Sequence, residues 1–477
     1  MKKLLIKGNW RDSGSCETLP VIDPRTGQEF CRVASATKED VREAIDAADQ
    51  AFDSWSKRSL HQRTALLREA SKLVMDKKEE IARAMTQEQG KPFPEALGEV
   101  VKGADILHYY AEEGERVYGR IVQNAEADIQ SAVIYQPVGV CAAIVPWNYP
   151  IELLAWKVGA ALAAGCTIVC KFASDTPLSS AMFAEQINAA GFPAGVLNTV
   201  NGPGRILGNE ILRNSKVKKV AFTGSTEVGI SVLTESAGTL KKTSMELGGS
   251  LPMLVFKDCD LAAAVTGAVR RSFRNMGQIC IAINRIYVEQ EIYEIFLKRF
   301  TEAAQKLVVG DGFKDGVDLG PMCNEASRKT TDEHVRDAVE KGARLLCGGK
   351  IPKIEGFENG YWYEPSIVAD ATQDMKIMTE ETFGPAVGVN SFNDIDEAIR
   401  LANDSLYGLA AIVYSSNIHT VKRCAYEIAA GNVAVNNVDA GVINAPYGGW
   451  KESGFGYEHG PEGLMEYFRA KHIRIKA

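Results

Sequence analysis

Three residues have side chains suited to covalent catalysis and neighbours that set them apart from others of their type. Cys280 lies in FRNMGQICIAINRIYV (273–288), just after Gly277 and Gln278. A glycine there allows close backbone approach. A cysteine nucleophile needs a thiolate, or a base that can generate one. Glu246, in SMELGGS (244–250), is the candidate base. Set between apolar residues and a glycine pair, it is expected to be partly buried, which raises a carboxyl pKa towards the range useful for proton transfer. Asn148, in PWNYP (146–150), sits between prolines that fix its backbone. A side-chain amide aimed at a developing oxyanion contributes roughly 100- to 1,000-fold in rate. Each has a plainer reading: a buried thiol, a surface carboxylate at a strand end, a rigid turn with an aromatic plug.

These residues need elements to position them. FTGSTEVG (222–229) reads as a strand, a Gly-Ser-Thr loop and a helix start. Its N–H groups could hold a phosphate, although it is not GxGxxG and a plain strand–helix turn explains it equally well. From residue 131 strands and helices alternate: SAVIYQPVGVCAAIVPW, ELLAWKVGAALAAG, TIVCKFA, PLSSAMFAEQINAAG, GVLNTVNG, KVKKVAFTGS and TEVGISVLTESAG. That spacing predicts an α/β fold with a doubly wound, mostly parallel sheet. Residues 38–90 read as helices, with Val41, Ala44, Ile45, Ala48, Phe52 and Trp55 on one stripe and Thr37 as a cap. A second α/β region runs from about 249 to 445, with helices over 258–276 and 291–307 and strands at RIYVEQ, AAIVYSS and NVAVNN. FRAKHIRIKA at the end has an edge-strand pattern, suited to pairing with another subunit or an underlying sheet.

A chain of 477 residues is too long for one core, so two or three domains are expected. A net charge of −7 argues against nucleic-acid binding through an overall positive field. The apolar run after Met1 is too short for a signal peptide, and no stretch reaches the ~18 apolar residues of a membrane span. Ten cysteines without a CxxC pair weaken zinc and dithiol readings and fit buried thiols in a reducing cytoplasm. No metal site is expected.

In combination the segments resemble the aldehyde dehydrogenase superfamily, in its non-acylating, NAD(P)-dependent branch. The resemblance rests on IDPRTG (22–27), PWNYP, GFPAGVLNTVNG (191–202), FTGSTEVG, MELGGS (245–250), GQIC (277–280), EETFGP (380–385) and PYGGWKESGFG (446–456), with Cys280 34 positions after Glu246. It implies Cys280 as the nucleophile towards the aldehyde carbon, and Asn148 with the Cys280 N–H as the oxyanion hole. Glu246 would be the base that activates water on the thioester, and Glu458 a second glutamate assisting proton movement. The cofactor site it implies comprises Val145, Pro146, Trp147, Lys171, Ser174, Gly204, Gly224, Ser225, Leu247, Glu381 and Phe383. The substrate site would comprise Tyr149, Leu153, Trp156, Arg274, Ile279, Ile281 and Tyr447.

Two departures bear on specificity. After Lys171 the run is KFAS, so Ser174 stands where the family commonly has a glutamate for the adenosine ribose. A serine removes repulsion of a 2′-phosphate, which favours NADP, with NAD as the alternative. FRNMGQIC is similar to the run in succinate semialdehyde dehydrogenases, where an arginine at the Arg274 position holds the distal carboxylate. The plainer reading of Arg274 is a structural ion pair, and the second arginine of those enzymes is replaced here by Trp156. Succinate semialdehyde, lactaldehyde and glyceraldehyde are all candidates, and a broad aldehyde dehydrogenase is the alternative. A CoA-acylating enzyme is disfavoured by Glu246, and a silent binding protein by the presence of Cys280, Glu246 and Asn148 together. The resemblance implies an aldehyde dehydrogenase-like fold: a Rossmann-like cofactor domain (1–117 and 136–248), a catalytic domain (249–445) and a small β extension (118–135 and 464–477) joining a homodimer or homotetramer.

Overall fold

The computed structural model describes residues 3–476. Residues 1, 2 and 477, the outermost ends of two expected segments, lie outside the described residues. After four short strands between residues 4 and 34 the chain turns helical: α1 (Lys38–Ser56), α2 (Leu60–Asp76), α3 (Lys78–Gln89) and α4 (Phe93–Gly114). Thr37 and Asp40 form a reciprocal capping box that satisfies otherwise unpaired N–H groups at the start of α1. Of the expected stripe, Val41, Ala44, Ile45, Ala48 and Trp55 are buried and Phe52 is half-buried. The α4 helix was not among the segments read from the sequence. It packs against α2 and against α5 (Pro150–Ala164), and so forms the floor beneath the Asn148 loop.

The first sheet is built on five parallel strands, β1 (Val140–Ile144), β2 (Thr167–Lys171), β3 (Leu197–Val200), β4 (Val217–Thr223) and β5 (Lys242–Glu246). They lie in the order β3-β2-β1-β4-β5, extended by short antiparallel strands to eight. Helices α5, α6 (Pro177–Ala189), α7 (Gly204–Arg213) and α8 (Thr226–Ala237) connect them. The order reverses between β1 and β4, and in such sheets ligands bind outside the strand C-termini at the reversal. Asn148 follows β1 there, and the Gly-Ser-Thr loop follows β4.

The second sheet has seven strands. Its centre pairs Leu251–Val255 in parallel with Ile283–Glu289 and with Ala410–Tyr414. Helix α9 was expected over 258–276 but covers Leu261–Phe273. It stops because Asn275, Met276 and Gly277 have φ of 48°, 57° and 66°, which a right-handed helix cannot contain. Phe468–Lys476 pairs antiparallel with Ile129–Pro137, which pairs with Arg120–Val122, in a separate three-stranded sheet. No helix among the described residues is long and apolar enough to cross a membrane.

A buried ion pair joins the helical region to the site. The Lys91 ammonium donates to Glu99 at 2.6 Å and to the Asn148 carbonyl at 2.7 Å, with both side chains fully buried. Glu99 also accepts the N–H groups of Ile151 and Glu152 at the start of α5. Replacing Lys91 by Met leaves the Glu99 carboxylate without its counter-charge. Loss of one member of a buried pair costs about 3–5 kcal/mol, so Lys91→Met should lower the urea midpoint by that equivalent. An unchanged midpoint would show that the pair is dispensable.

Candidate active site

Cys280 is carried by the turn that ends α9. Three consecutive left-handed residues, two of them not glycine, are costly and must be held by their surroundings. The Asn275 amide donates to the Asn148 carbonyl at 3.1 Å, and its oxygen accepts from Gln89 at 3.0 Å. Gln278 donates to the Asn275 carbonyl and accepts from the Cys323 N–H, both at 2.9 Å. At Gly277 a Cβ would lie 2.2 Å from the Gly384 carbonyl oxygen, so only glycine fits.

Two chambers meet at this thiol. The larger, about 350 Å³, has Cys280, Asn148, Glu246 and Glu458 in its wall, together with the expected substrate residues Tyr149, Leu153, Trp156, Arg274, Ile279, Ile281 and Tyr447. The smaller, about 240 Å³, is walled by Pro146, Trp147, Gly224, Ser225, Leu247, Glu381 and Phe383, and again by Asn148 and Cys280. Four of the expected cofactor residues lie outside that wall. Val145 is buried beyond β1, Lys171 ends β2, Ser174 is exposed three residues on, and Gly204 opens α7. A Cβ on Gly204 would lie 3.7 Å from the Lys171 ammonium, so these two face one another.

Burial dominates the electrostatics. It pushes the Cys280 thiol up to about 12, a shift the neighbouring carboxyls reinforce and the Tyr447 hydroxyl, 3.7 Å from the sulfur, opposes. It raises Glu246 well above the usual carboxyl range; the Glu458 charge adds to this and Lys157 opposes it. Glu246 is more deeply buried than its sequence surroundings suggested, and one of its oxygens has no partner. Lys157 lies wholly inside, donating to Glu458 at 2.5 Å and to Thr223 at 2.7 Å. The backbones of Glu458 and Tyr447 are hydrogen-bonded to each other, so one short ladder places both. The Asn148 amide nitrogen donates one N–H to the Gln278 carbonyl at 3.0 Å, leaving its second proton for another acceptor.

The smaller chamber suits a nicotinamide dinucleotide. Ser225 caps the twelve-residue helix α8, whose N-terminus offers N–H groups to a pyrophosphate. Trp147 and Phe383 meet edge-to-face at 5.4 Å. Glu381 is fixed by the Gly249 N–H at 2.8 Å, and burial pushes its carboxyl up to about 7. Gly248 is required beside it, because a Cβ would come within 2.7 Å of the Glu381 oxygen.

The family profile of aldehyde dehydrogenases matches residues 10–473. This chain belongs to the aldehyde dehydrogenase family. It is 41% identical to the Escherichia coli NADP(+) succinate-semialdehyde dehydrogenase GabD, over 99% of this chain and 98% of that protein. It is 40% identical to a Pseudomonas putida glutarate-semialdehyde dehydrogenase, over 98% and 97% of the two chains. A P. putida 3-sulfolactaldehyde dehydrogenase is 40% identical over 99% and 96%. Among solved structures, the Staphylococcus aureus betaine aldehyde dehydrogenase in complex with NAD+ superposes with a TM-score of 0.97 at 33% identity, covering all of this chain and 95% of that one.

Several residues at the site were not singled out from the sequence. Lys157 carried a visible signal, a lysine inside an otherwise apolar helix. His459 did not. It stacks between Trp156, at a centroid distance of 3.6 Å, and Tyr447, at 4.7 Å. Burial lowers the His459 imidazole to about 3, so the stack is neutral. Arg271, Lys91 and Glu99 also escaped, because the groups that tie them to the site, Asp439 and the Asn148 loop, are distant in sequence.

Burial favours the neutral forms of both Cys280 and Glu246 in the free protein, so turnover should climb as the pH rises from 6 to 9. Glu246→Gln should slow the burst of reduced cofactor and lose roughly 100-fold or more in steady turnover. A variant that turns over steadily with the wild-type pH profile would remove Glu246 from the reaction.

Proposed function

We propose that this chain oxidises small aldehydes bearing an anionic group at the far end to carboxylates, with NADP as preferred cofactor and NAD as the alternative. The observation that carries the reading is the position of Cys280 in the walls of both chambers. A sulfur reached from one side by an aldehyde and from the other by a nicotinamide suits covalent oxidation. As Cys280 bonds to the aldehyde carbon, the thiol proton passes to ionised Glu246. The carbonyl oxygen gains charge facing the second N–H of Asn148 and the backbone N–H of Cys280. Ser225, Glu381 and Phe383 would hold a nicotinamide dinucleotide in the smaller chamber, where it would accept the hydride from the carbon bonded to Cys280, and that carbon would remain on the sulfur as a thioester. Glu246 loses its proton towards the Lys157–Glu458 pair and then takes one from water. The hydroxide adds to the thioester carbon, the C–S bond breaks, and the carboxylate leaves.

Substrate charge is supported by the relatives' names, two semialdehydes of dicarboxylic acids and a sulfonated aldehyde. Arg274 lines the larger chamber and also forms the expected ion pair, donating through Nε to Glu95 at 3.0 Å. Its side chain is about one-third exposed, so the pair leaves the guanidinium edge available. The stacked Trp156, His459 and Tyr447 favour the second reading, a broad aldehyde dehydrogenase. With a short panel of aldehydes, Arg274→Ala should lose at least ~10-fold in kcat/KM for succinate semialdehyde and little for propanal. Propanal leading in the wild type, with the variant unaffected, would establish the broad enzyme.

The cofactor reading is supported by Ser174, whose hydroxyl donates only weakly, to the Gly202 carbonyl at 3.4 Å, and by the NADP(+) enzyme among the relatives. Asp175 works the other way. Burial lowers Lys171 to about 8, and the Asp175 charge opposes that shift, so a carboxylate stands near where a 2′-phosphate would bind. Asp175→Asn should raise the NADP/NAD ratio of kcat/KM by about threefold or more, and Ser174→Glu should reverse it. Unchanged ratios in both variants would place the 2′-phosphate elsewhere.

The proposed division is a cofactor domain over 1–117 and 136–248, a catalytic domain over 249–445 and an extension over 118–135 and 464–477. A homodimer or homotetramer joined through the extension is supported by its exposed apolar residues Tyr118, Ile121 and Ile475.

A further inference from the structure

A second arginine besides Arg274 lines the larger chamber. Arg271 lies in the last turn of α9, three residues before Arg274, and lines the larger chamber. Its side chain is only 7% exposed. A buried guanidinium normally has each N–H paired, because an unpaired one forfeits its hydration. Arg271 is under-paired. One Nη donates to Asp439 at 2.5 Å, while Nε is buried with no partner. Asp439 is itself shared, held by both Nη atoms of the exposed Arg270 at 3.1 Å each. One half-exposed carboxylate therefore serves two guanidinium groups, and the inner one has donor capacity left over.

The other groups at this wall do not use that capacity. Tyr149 donates to Glu95, which also holds Arg274. Burial, with Glu99 nearby, raises the Glu152 carboxyl, moving it towards its neutral form, and Lys102 opposes that shift. Trp156 is taken up by its stack with His459.

We propose that Arg271, together with Arg274, binds the anionic head of the substrate, a carboxylate or sulfonate, with Asp439 as the counter-charge the head group partly displaces. This rests on the anionic-aldehyde reading above and adds the residue that supplies its second cation. An arginine on α9 would then do from a neighbouring helix what Trp156, on α5, cannot do. Both guanidinium groups line the same chamber, and a guanidinium fork is matched to planar or trigonal oxygen acceptors.

The test uses the full-length protein with succinate semialdehyde and its methyl ester, which differ in charge at the head group. Arg271→Met should raise KM for the acid roughly 10- to 100-fold and leave the ester within about twofold, with kcat little changed. Arg271→Lys should recover part of the loss. Asp439→Asn should lower KM for the acid at least twofold, because it releases Arg271, an effect that a merely structural ion pair would not produce. Equal losses on both compounds, or no loss on the acid, would overturn the role of Arg271, as would an unchanged or higher KM in Asp439→Asn. If the wild type handles the ester as well as the acid, the anionic-aldehyde reading itself fails. If it prefers the acid and Arg271→Met keeps that preference, only this inference fails.

Discussion

The reactive end of this molecule depends on one constraint: Asn275, Met276 and Gly277 must stay in the left-handed region. Each non-glycine residue there costs about 1–3 kcal/mol unless its surroundings hold it. The holding is done by polar side chains. Gln89, Asn275, Gln278 and the Lys91–Glu99 pair link the turn to the Asn148 loop. The same contacts that keep the turn strained set the distance between the nucleophile and the amide beside it. Stability and geometry share one network, and a change anywhere in it moves both.

The second organising fact is that charge is scarce at the centre and plentiful just outside it. Cys280 is a thiol in the free protein, and Glu246 is pushed towards its neutral form, because desolvation outweighs the little that stabilises either ion. Lys157, a fully buried cation beside Glu246, is already committed to Glu458 and Thr223. A site arranged this way is quiet until ligands alter its surroundings. An idle thiolate among ten cysteines would be open to oxidation, and burial suppresses it.

The two chambers differ in how they are built. The smaller chamber uses backbone and helix ends at the point where the strand order reverses, features that follow from topology. The larger uses side chains gathered from α4, α5, α9 and the stretch around residues 439–459, which are separate in sequence.

Much was determined by sequence alone, and for local reasons. Alternating period-two and period-3.6 patterns placed β1 to β4 and the helices α5, α6 and α8, because backbone hydrogen bonding and burial act over a few residues. Thr37 announced α1 through a cap closed within three positions. The motif spacing singled out Cys280, Glu246 and Asn148 as a resemblance. The left-handed turn was not legible: it cut short a helix that periodicity carries through to 276, and only packing against Gly384 and Asn148 makes such backbone tolerable. The depth of Glu246, the commitment of Lys157, the sharing of Asp439 by Arg270 and Arg271, and the stack on Trp156 were likewise decided by tertiary structure. Each depends on groups 100 or more residues apart in most cases, and electrostatic and packing energies depend on distance in space, which a linear pattern does not contain.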